Sequence, residues 1–594
     1  MSDSNPATSE HLLPKDRAAA RGMVNVQVDG TWIEVPKGTR MIEACRAAGT
    51  IVPHYCYHPK LSSPGSCRMC LVQSGMPARA APGHEPPRDA DGYQPIEWAP
   101  RPVIACANPV AENMGIRTNG PVVEECQQAV MEFLLINHPL DCPICDQAGE
   151  CRLQELAVSY GRGTSRFLDL KVKKPKNVDI GPRVRLDDER CILCGRCVRF
   201  MAEVAGDPVL GFAGRGSHTI LTVHPGRLLD SNYSLNTVDL CPVGALTATD
   251  FRFQMRVWFL KETPSIDVNC GTGCNITIWS RGNRVYRITP RPNDAVNSWW
   301  MPDSHRLAFH HLEDPRRLTQ PLARGGPGTP AAPVPWPAAI NAAATGLARF
   351  PGERTAVIAS GRMTNEELFL ARLLAAVLGT TRLALVPRRG EPDGLLVAAD
   401  RNPNTTGAAL VWQTADPSAG LAAIRADVRA GTLNALVCLG EELTAEAGFT
   451  AADLARLDFL AVTALLAGPT PGAADVVLPT AGFAEKHGSM VNVTGRLQRL
   501  NRAIDPPADA RDDWEVLRDL AEAVRQARPP LAPAPPPPHH LDDVFRQLAA
   551  TVPAFANLSL ARIGDLGTQV TTTTTTIPLL AKERARKAAG EIAG

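Results

Sequence analysis

What this sequence of 594 residues lacks narrows its function before any motif is read. No stretch approaches the roughly 18 consecutive apolar residues that a membrane span requires. The opening MSDSNPATSEHLLPKDRAAARG has no apolar core followed by small residues, so no signal peptide is expected. Charge of one sign is not in excess: 62 basic against 61 acidic residues leave a formal net charge of +1. That balance provides no global field for nucleic acid or an anionic membrane surface, so charge arguments must be local. Cysteine is nearly absent from the second half, where Cys438 is the only one after Cys274. Sixteen cysteines in a chain with no secretory signal argue for metal ligation over disulfides, because the cytosol keeps thiols reduced. Length alone predicts several domains, about four.

The cysteines that are present fall into sets. Cys56, Cys67, Cys70 and Cys106 stand in HYCYHPKLSSPGSCRMCLV and VIACANPV. A close pair on one loop with a distant fourth thiol suits a 2Fe-2S cluster, although the gap between Cys56 and Cys67 departs from plant-type spacing. Zinc also accepts four thiolates and stays open on spacing alone. His138, Cys142, Cys145 and Cys151 in HPLDCPICDQAGEC can converge on one centre, with a neutral imidazole as the fourth ligand of a 4Fe-4S cluster. The third set is CILCGRC, with Cys191, Cys194 and Cys197, completed by Cys241 in CPVGA. Three cysteines two residues apart with a remote Cys-Pro are close to the bacterial ferredoxin signature and predict a second 4Fe-4S cluster. VNCGTGC contributes only Cys270 and Cys274, too few for a cluster, and these read as structural or free cysteines. Cys45, Cys126 and Cys438 lie in apolar or helical text and are expected in the core.

Local pattern fits this division. VNVQVDGTWIEV alternates around Asp29-Gly30 and predicts a β-hairpin, with a short helix in RMIEACRAAG stopped by Gly49. VEECQQAVMEFLLIN has helical spacing, and Lys/Arg exceed Asp/Glu between Arg162 and Arg199. That basic excess either stabilises reduced clusters or forms a solvated docking face. Gln320 to Pro337 reads as a linker or an ordered surface excursion. Beyond it, TAVIAS and NALVCLG alternate with the helical TNEELFLARLLAAVLG, predicting α/β layers with that helix in the core. The polyproline stretch from Arg528 to His540 and the run Thr571 to Thr576 are expected outside any core, and KERARKAAGEIAG is expected as a charged tail, free or laid along a neighbouring subunit.

Taken in order, VPHYCYHPKLSSPGSCRMCLV, MEFLLINHPLDCPICDQAGECRLQELAVSYGRGTSRF, RCILCGRCVRF and DLCPVGALTATDFRF resemble the family of the large iron-sulfur subunit of NADH-quinone oxidoreductase (respiratory complex I), also known as its G or 75 kDa subunit. The resemblance runs from about Met23 to Arg306 and continues more weakly in VVLPTAGFAEKHGSMVNVTGRLQRLNRAIDPPADARDDWEVL. It implies an α+β multidomain fold. The expected parts are a leader (1–22), a β-grasp 2Fe-2S ferredoxin domain (23–115), a small helical domain for the His-ligated 4Fe-4S site (116–160) and a 4Fe-4S ferredoxin-like domain (161–255). A degenerate molybdopterin-oxidoreductase-like α/β domain without a catalytic metal site (256–527) and a Pro- and Thr-rich extension (528–594) complete it. Some members hold a further 4Fe-4S cluster. Here Asp267 replaces its first cysteine and the fourth falls near Pro302, so neither that cluster nor molybdopterin is expected.

The resemblance also implies an electron-relay subunit with no substrate site or catalytic residue of its own. Electrons would come from a flavin-bearing, NADH-oxidising partner and leave towards the iron-sulfur subunits of a quinone module, on the cytoplasmic side of the inner (plasma) membrane. Nucleic acid is not an expected partner. The competing reading is the electron-transfer or diaphorase-type subunit of a soluble NAD-linked hydrogenase or formate dehydrogenase, which shares the ferredoxin-like front half. A zinc-stapled scaffold without redox function is the third.

Overall fold

The computed structural model describes residues 21–79, 87–326, 328–528 and 538–593. They form two compact units: one runs to Trp258 and takes in the residues from Lys582 onward, the other spans Phe259–Ala581.

The first unit opens with the hairpin Met23–Val28 and Thr31–Pro36. Asp29 and Gly30 both have positive φ, 48° and 90°, which is the backbone a two-residue turn needs to follow the right-handed strand twist. The helix Met41–Ala47 buries Met41, Ile42, Ala44 and Cys45 against this sheet and stops where Gly49 turns left-handed. Strand Met114–Arg117 then runs parallel to Met23–Val28 and antiparallel to Leu71–Pro77, closing a β-grasp sheet. The helices Pro121–Leu135 and Arg152–Tyr160 pack together beyond it. The third segment is a small sheet of Val178–Asp179, Val184–Leu186 and Leu246–Ala248, accompanied by helix Arg196–Glu203.

The second unit begins with an antiparallel sheet, Lys261–Ile266, Asn275–Arg281 and Arg284–Pro290. Its centre is a seven-stranded sheet whose parallel strands are Val476–Pro479, Phe459–Ala464, Ala435–Leu439, Thr355–Ala359 and Leu383–Leu385. These strands are buried on both faces, so they read as continuous apolar runs. Two apolar cores, one on each face, include Val357 and Leu374 on one side and Ile358 and Cys438 on the other.

Four segments depart from expectation. The Gly/Pro-rich stretch from Gln320 supplies two strands at one margin of the large sheet, Leu322–Arg324 and, at its edge, Ala331–Pro333, where proline is tolerated because an edge N–H needs no partner. Past the polyproline stretch, most of which lies outside the described residues, helix Leu541–Thr551 returns Val544, Phe545 and Leu548 to the core, so 528–594 is more than an extension. Cys126 is half-buried on its helix rather than in the core. The tail from Lys582 is neither free nor left for a neighbour: Arg586 pairs with Glu203, and the Ala593 N–H donates to Pro59 O at 3.1 Å. Among the described residues no helix is long and apolar enough to cross a membrane.

Candidate metal centres

The three complete candidate ligand sets all lie in the first unit, and in each the structure brings together the residues that the spacing groups. Around Cys56 the thiols stand in a row, Cys67 beside Cys56, Cys56 beside Cys106 and Cys106 beside Cys70. Hydrogen bonds from Cys106 and Cys67 hold Cys56 well below the ordinary thiol range, and one from Cys106 lowers Cys70. Cys67 and Cys106, the donors, are pushed up. Cys56, Cys70 and Cys106 are buried and Cys67 half-buried, so the pocket excludes water except at one thiol.

His138, Cys142, Cys145 and Cys151 line one small pocket together with Asp141, Gln154, Arg190 and Gly244. Asn137, just before the histidine, is held by its side chain, which accepts from Val172 N–H at 3.0 Å. Burial, with the charges of Arg190 and Lys171, lowers the imidazole pKa to about 4, which keeps it neutral and able to ligate. Burial raises Cys145 and Cys151, while the N–H of Gln147 favours the first thiolate and those of Gln154 and Leu153 the second. Cys142 is exposed and marks the mouth of the site.

Cys191, Cys194, Cys197 and Cys241 gather where helix Arg196–Glu203 starts. The CILCGRC loop turns back through two left-handed residues, Leu193 (φ 55°) and Gly195 (φ 68°), so three thiols face one point. Leu193 N–H lies 3.4 Å from Cys191 Sγ. Burial raises every thiol of the set, Cys241 to about 11 with a contribution from Cys194. Thiols that resist ionisation alone, with backbone N–H groups aimed at their sulfurs, fit iron-sulfur ligation: cationic irons would offset the thiolate charge that burial opposes.

The sets are neighbours. Arg199 donates through Nη2 to Cys56 O at 2.5 Å and to Cys194 O at 3.4 Å, joining the first set to the third. Segment Cys241 to Gly244 joins the third set to the second: Cys241 belongs to one, Pro242 O accepts from Arg152 N at 3.0 Å, and Gly244 faces Cys145. Tyr55, Met69, Met131, Leu153 and Val243 form an apolar nucleus against which Cys67, Cys151, Cys191, Cys194 and Cys241 pack. Spacing alone identifies neither the arginine bridge nor Gly244. The one hint in the sequence is the basic excess up to Arg199, part of which turns inward.

Cys270 and Cys274 are both fully buried in the second unit, and Pro302 offers no ligand atom to a cluster there.

Five family models match the chain. They are a 2Fe-2S iron-sulfur cluster binding domain (21–121) and the NADH-ubiquinone oxidoreductase-G iron-sulfur binding region (127–166). Next come the NADH-quinone oxidoreductase subunit 3 ferredoxin-like domain (181–247) and an NDSU1/NuoG-like 4Fe-4S domain (260–310). Molybdopterin oxidoreductase matches residues 415–523. The G subunit of NADH-quinone oxidoreductase from Rickettsia conorii is 39% identical over 363 residues, 61% of this chain and 50% of that protein. The NADH-ubiquinone oxidoreductase 75 kDa subunit of Reclinomonas americana is 40% identical over 61% of this chain and 49% of its own length. The mitochondrial NADH dehydrogenase (ubiquinone) iron-sulfur protein 1 of Solanum tuberosum is 40% identical over 59% and 44%. The chain spans about half the length of the curated relatives it matches. An NAD+-reducing NiFe hydrogenase structure shares 28% identity and covers 39% of this chain and 91% of its own, but its TM-score of 0.33 is too low to bear on the fold. With its iron-sulfur domains in this order and relatives at about 40% identity, the chain is similar over about half of their length to the large iron-sulfur (75 kDa) subunits of NADH-quinone oxidoreductase.

Proposed function

We propose that the chain is the electron-relay subunit of an NADH-quinone oxidoreductase. In this reading Cys56, Cys67, Cys70 and Cys106 hold a 2Fe-2S cluster, His138, Cys142, Cys145 and Cys151 a 4Fe-4S cluster, and Cys191, Cys194, Cys197 and Cys241 a second 4Fe-4S cluster. The clusters supply one-electron carriers whose potentials follow ligand charge, N–H···S bonds and burial.

The observation that carries the reading is the packing of all three sets around one apolar nucleus. It keeps the sites close. Their adjacency supports a linear order: the binuclear set touches the all-cysteine set through Arg199, and that set touches the histidine set through Cys241 to Gly244. The relay then ends beside Cys142 at the surface, where the flanking Leu140 and Ile144 expose apolar side chains. Such a surface suits a covering partner, here an iron-sulfur subunit of the quinone module. A flavin-bearing, NADH-oxidising subunit would serve the binuclear end, and the assembly would sit on the cytoplasmic side of the membrane.

Anaerobic purification with iron and sulfide counting tests this. About ten irons per chain are expected, two plus four plus four, with EPR signals on dithionite reduction. A colourless protein with about three zincs and little iron would end the relay reading, because zinc is redox-silent.

A further inference from the structure

The turn DVNCGTGC joins strands Lys261–Ile266 and Asn275–Arg281 and belongs to the second unit, whereas the three relay sites lie in the first. Its ends are pinned by the Asp267 N–H, which donates to Cys274 O at 2.8 Å. Its middle is packed to contact: a Cβ on Gly271 would lie 2.3 Å from Val493 Cγ1, and Gly273 takes a positive φ of 62°. Cys270 therefore has one position. His305 approaches it from the short helix Asp303–Arg306.

Ligand atoms of Asp267, Cys270 and His305 all lie within 4.8 Å of one another. The three residues are 2%, 0% and 6% exposed. His305 Nδ1 is 2.7 Å from Asp267 Oδ2, while Asp267 Oδ1 accepts from Asn269 N at 3.1 Å and Nδ2 at 2.7 Å. A carboxylate, a thiol and an imidazole held this way in a dry site are either a closed hydrogen-bond network or the ligands of one ion.

Two other readings fit less well. A Cys–His–Asp row also suits a thiol nucleophile, but burial of all three leaves no room for a substrate beside the sulfur. A 4Fe-4S cluster needs four ligands, and Asp267 and Pro302 occupy two of the cysteine positions that the resemblance leads one to expect.

We propose that Asp267, Cys270 and His305 bind a single divalent ion of the zinc class, a structural staple between the turn and helix Asp303–Arg306. Zinc bonds of about 2.3 Å to sulfur and 2.0–2.2 Å to nitrogen and oxygen place tetrahedral ligand atoms roughly 3.3–3.6 Å apart, inside the observed limit. The His305–Asp267 contact, now spanned by a proton, opens by about 0.6 Å when the ion takes the proton's place. Binding releases that proton and the Cys270 thiol proton, leaving a carboxylate, a thiolate and a neutral imidazole whose two negative charges offset the ion. Cys274 is buried on the same turn but is not among the mutually close ligand atoms, so a water fills the fourth position.

The test is metal analysis of the full-length chain, purified anaerobically with its clusters and dialysed against EDTA. About one zinc per chain is expected beyond the relay irons, and zinc-edge X-ray absorption should show at least one sulfur near 2.3 Å. Cys270→Ser and His305→Gln should each cut the zinc more than tenfold with iron unchanged, and Cys438→Ser should leave both unchanged. Absence of stoichiometric zinc, a zinc edge without sulfur, zinc retained in both variants, or about four extra irons would each overturn the proposal. The absorption measurement on the unsubstituted protein decides even where a variant fails to fold. Iron counted on the same sample separates this result from failure of the relay reading.

Discussion

Gly244 stands against the sulfur of Cys145: a Cβ built on the glycine would lie 2.4 Å from Sγ, with Gln147 Cβ at 3.1 Å behind it. The backbone of one centre thus comes as close as it can to a ligand of the next. On the proposed ligation the Cys145 sulfur could not rotate away, so Gly244→Ala should displace Cys145 and cost roughly 1–3 kcal/mol in overpacking. The expected result is loss of about four irons and of one tetranuclear EPR signal, the other signals persisting. Gly163→Ala, where nothing lies within 4 Å, is the control and should keep all the iron.

On the proposed ligation, replacing His138 by cysteine exchanges a neutral ligand for an anionic one. The extra negative charge stabilises the oxidised cluster, so the potential of that site should fall, on the order of 100 mV by comparison with histidine-for-cysteine exchange in Rieske centres. A potentiometric EPR titration of His138→Cys that leaves all potentials in place would remove the imidazole from the ligand set.

Arg199 is the side chain that spans two centres, its guanidinium also donating to Ser62 O. Arg199→Met keeps the length of the stem but leaves the Cys56, Cys194 and Ser62 carbonyls short of a donor and removes a positive charge beside the thiolates. We expect destabilisation of roughly 2–4 kcal/mol and lower potentials at the binuclear and all-cysteine sites, with the His138 site unaffected. Spectroelectrochemistry on the variant resolves the sites separately.

Legibility in the sequence follows the range of the interaction. Cluster chemistry demands fixed ligand types at short spacings, so CILCGRC and HPLDCPIC are readable locally, and Asp29-Gly30 announces its hairpin for the same reason. Arg199, Gly244 and His305 matter because of what folds against them, from residues that are distant in sequence, and no local pattern records that. The helix Asn365–Val377 shows both sides. Its apolar rows place it in the core, where Leu368, Leu370 and Leu374 are buried. That Glu366 and Glu367 are buried with them depends on Ser489 and Lys486, more than a hundred residues later.

Asp512 offers a test by pH. Burial raises its carboxyl to about 6, and its Oδ1 has no hydrogen-bond partner. A carboxyl whose pKa is higher folded than unfolded weakens the fold once ionised. The penalty is complete above about pH 6 and disappears as pH falls below the ordinary value near 3.8. Asp512→Asn should therefore raise stability by about 1–2 kcal/mol at pH 7, and the gain over the parent should vanish near pH 4. Differential scanning calorimetry at the two pH values reads the difference, and a gain independent of pH would mean that ionisation is not its source.

Lys486 closes a buried three-point charge cluster: its Nζ lies 2.9 Å from Glu367 Oε1 and 3.2 Å from Asp513 Oδ2. Burial opposes its charge, but the carboxylates of Asp513 and Glu367 outweigh that and hold the ammonium ionised. Glu367 also completes the capping box of its helix, accepting from Thr364 N at 2.8 Å, so the cluster fixes where that helix begins. Lys486→Met keeps the volume and strands two buried carboxylates side by side, which should cost about 3–5 kcal/mol. The triple change Lys486→Met with Glu367→Gln and Asp513→Asn removes the uncompensated charge and should recover most of that loss. Thermal unfolding of the two variants separates the cases. If the triple variant is no more stable than the single one, the cost lies in lost packing of the lysine stem rather than in stranded charge.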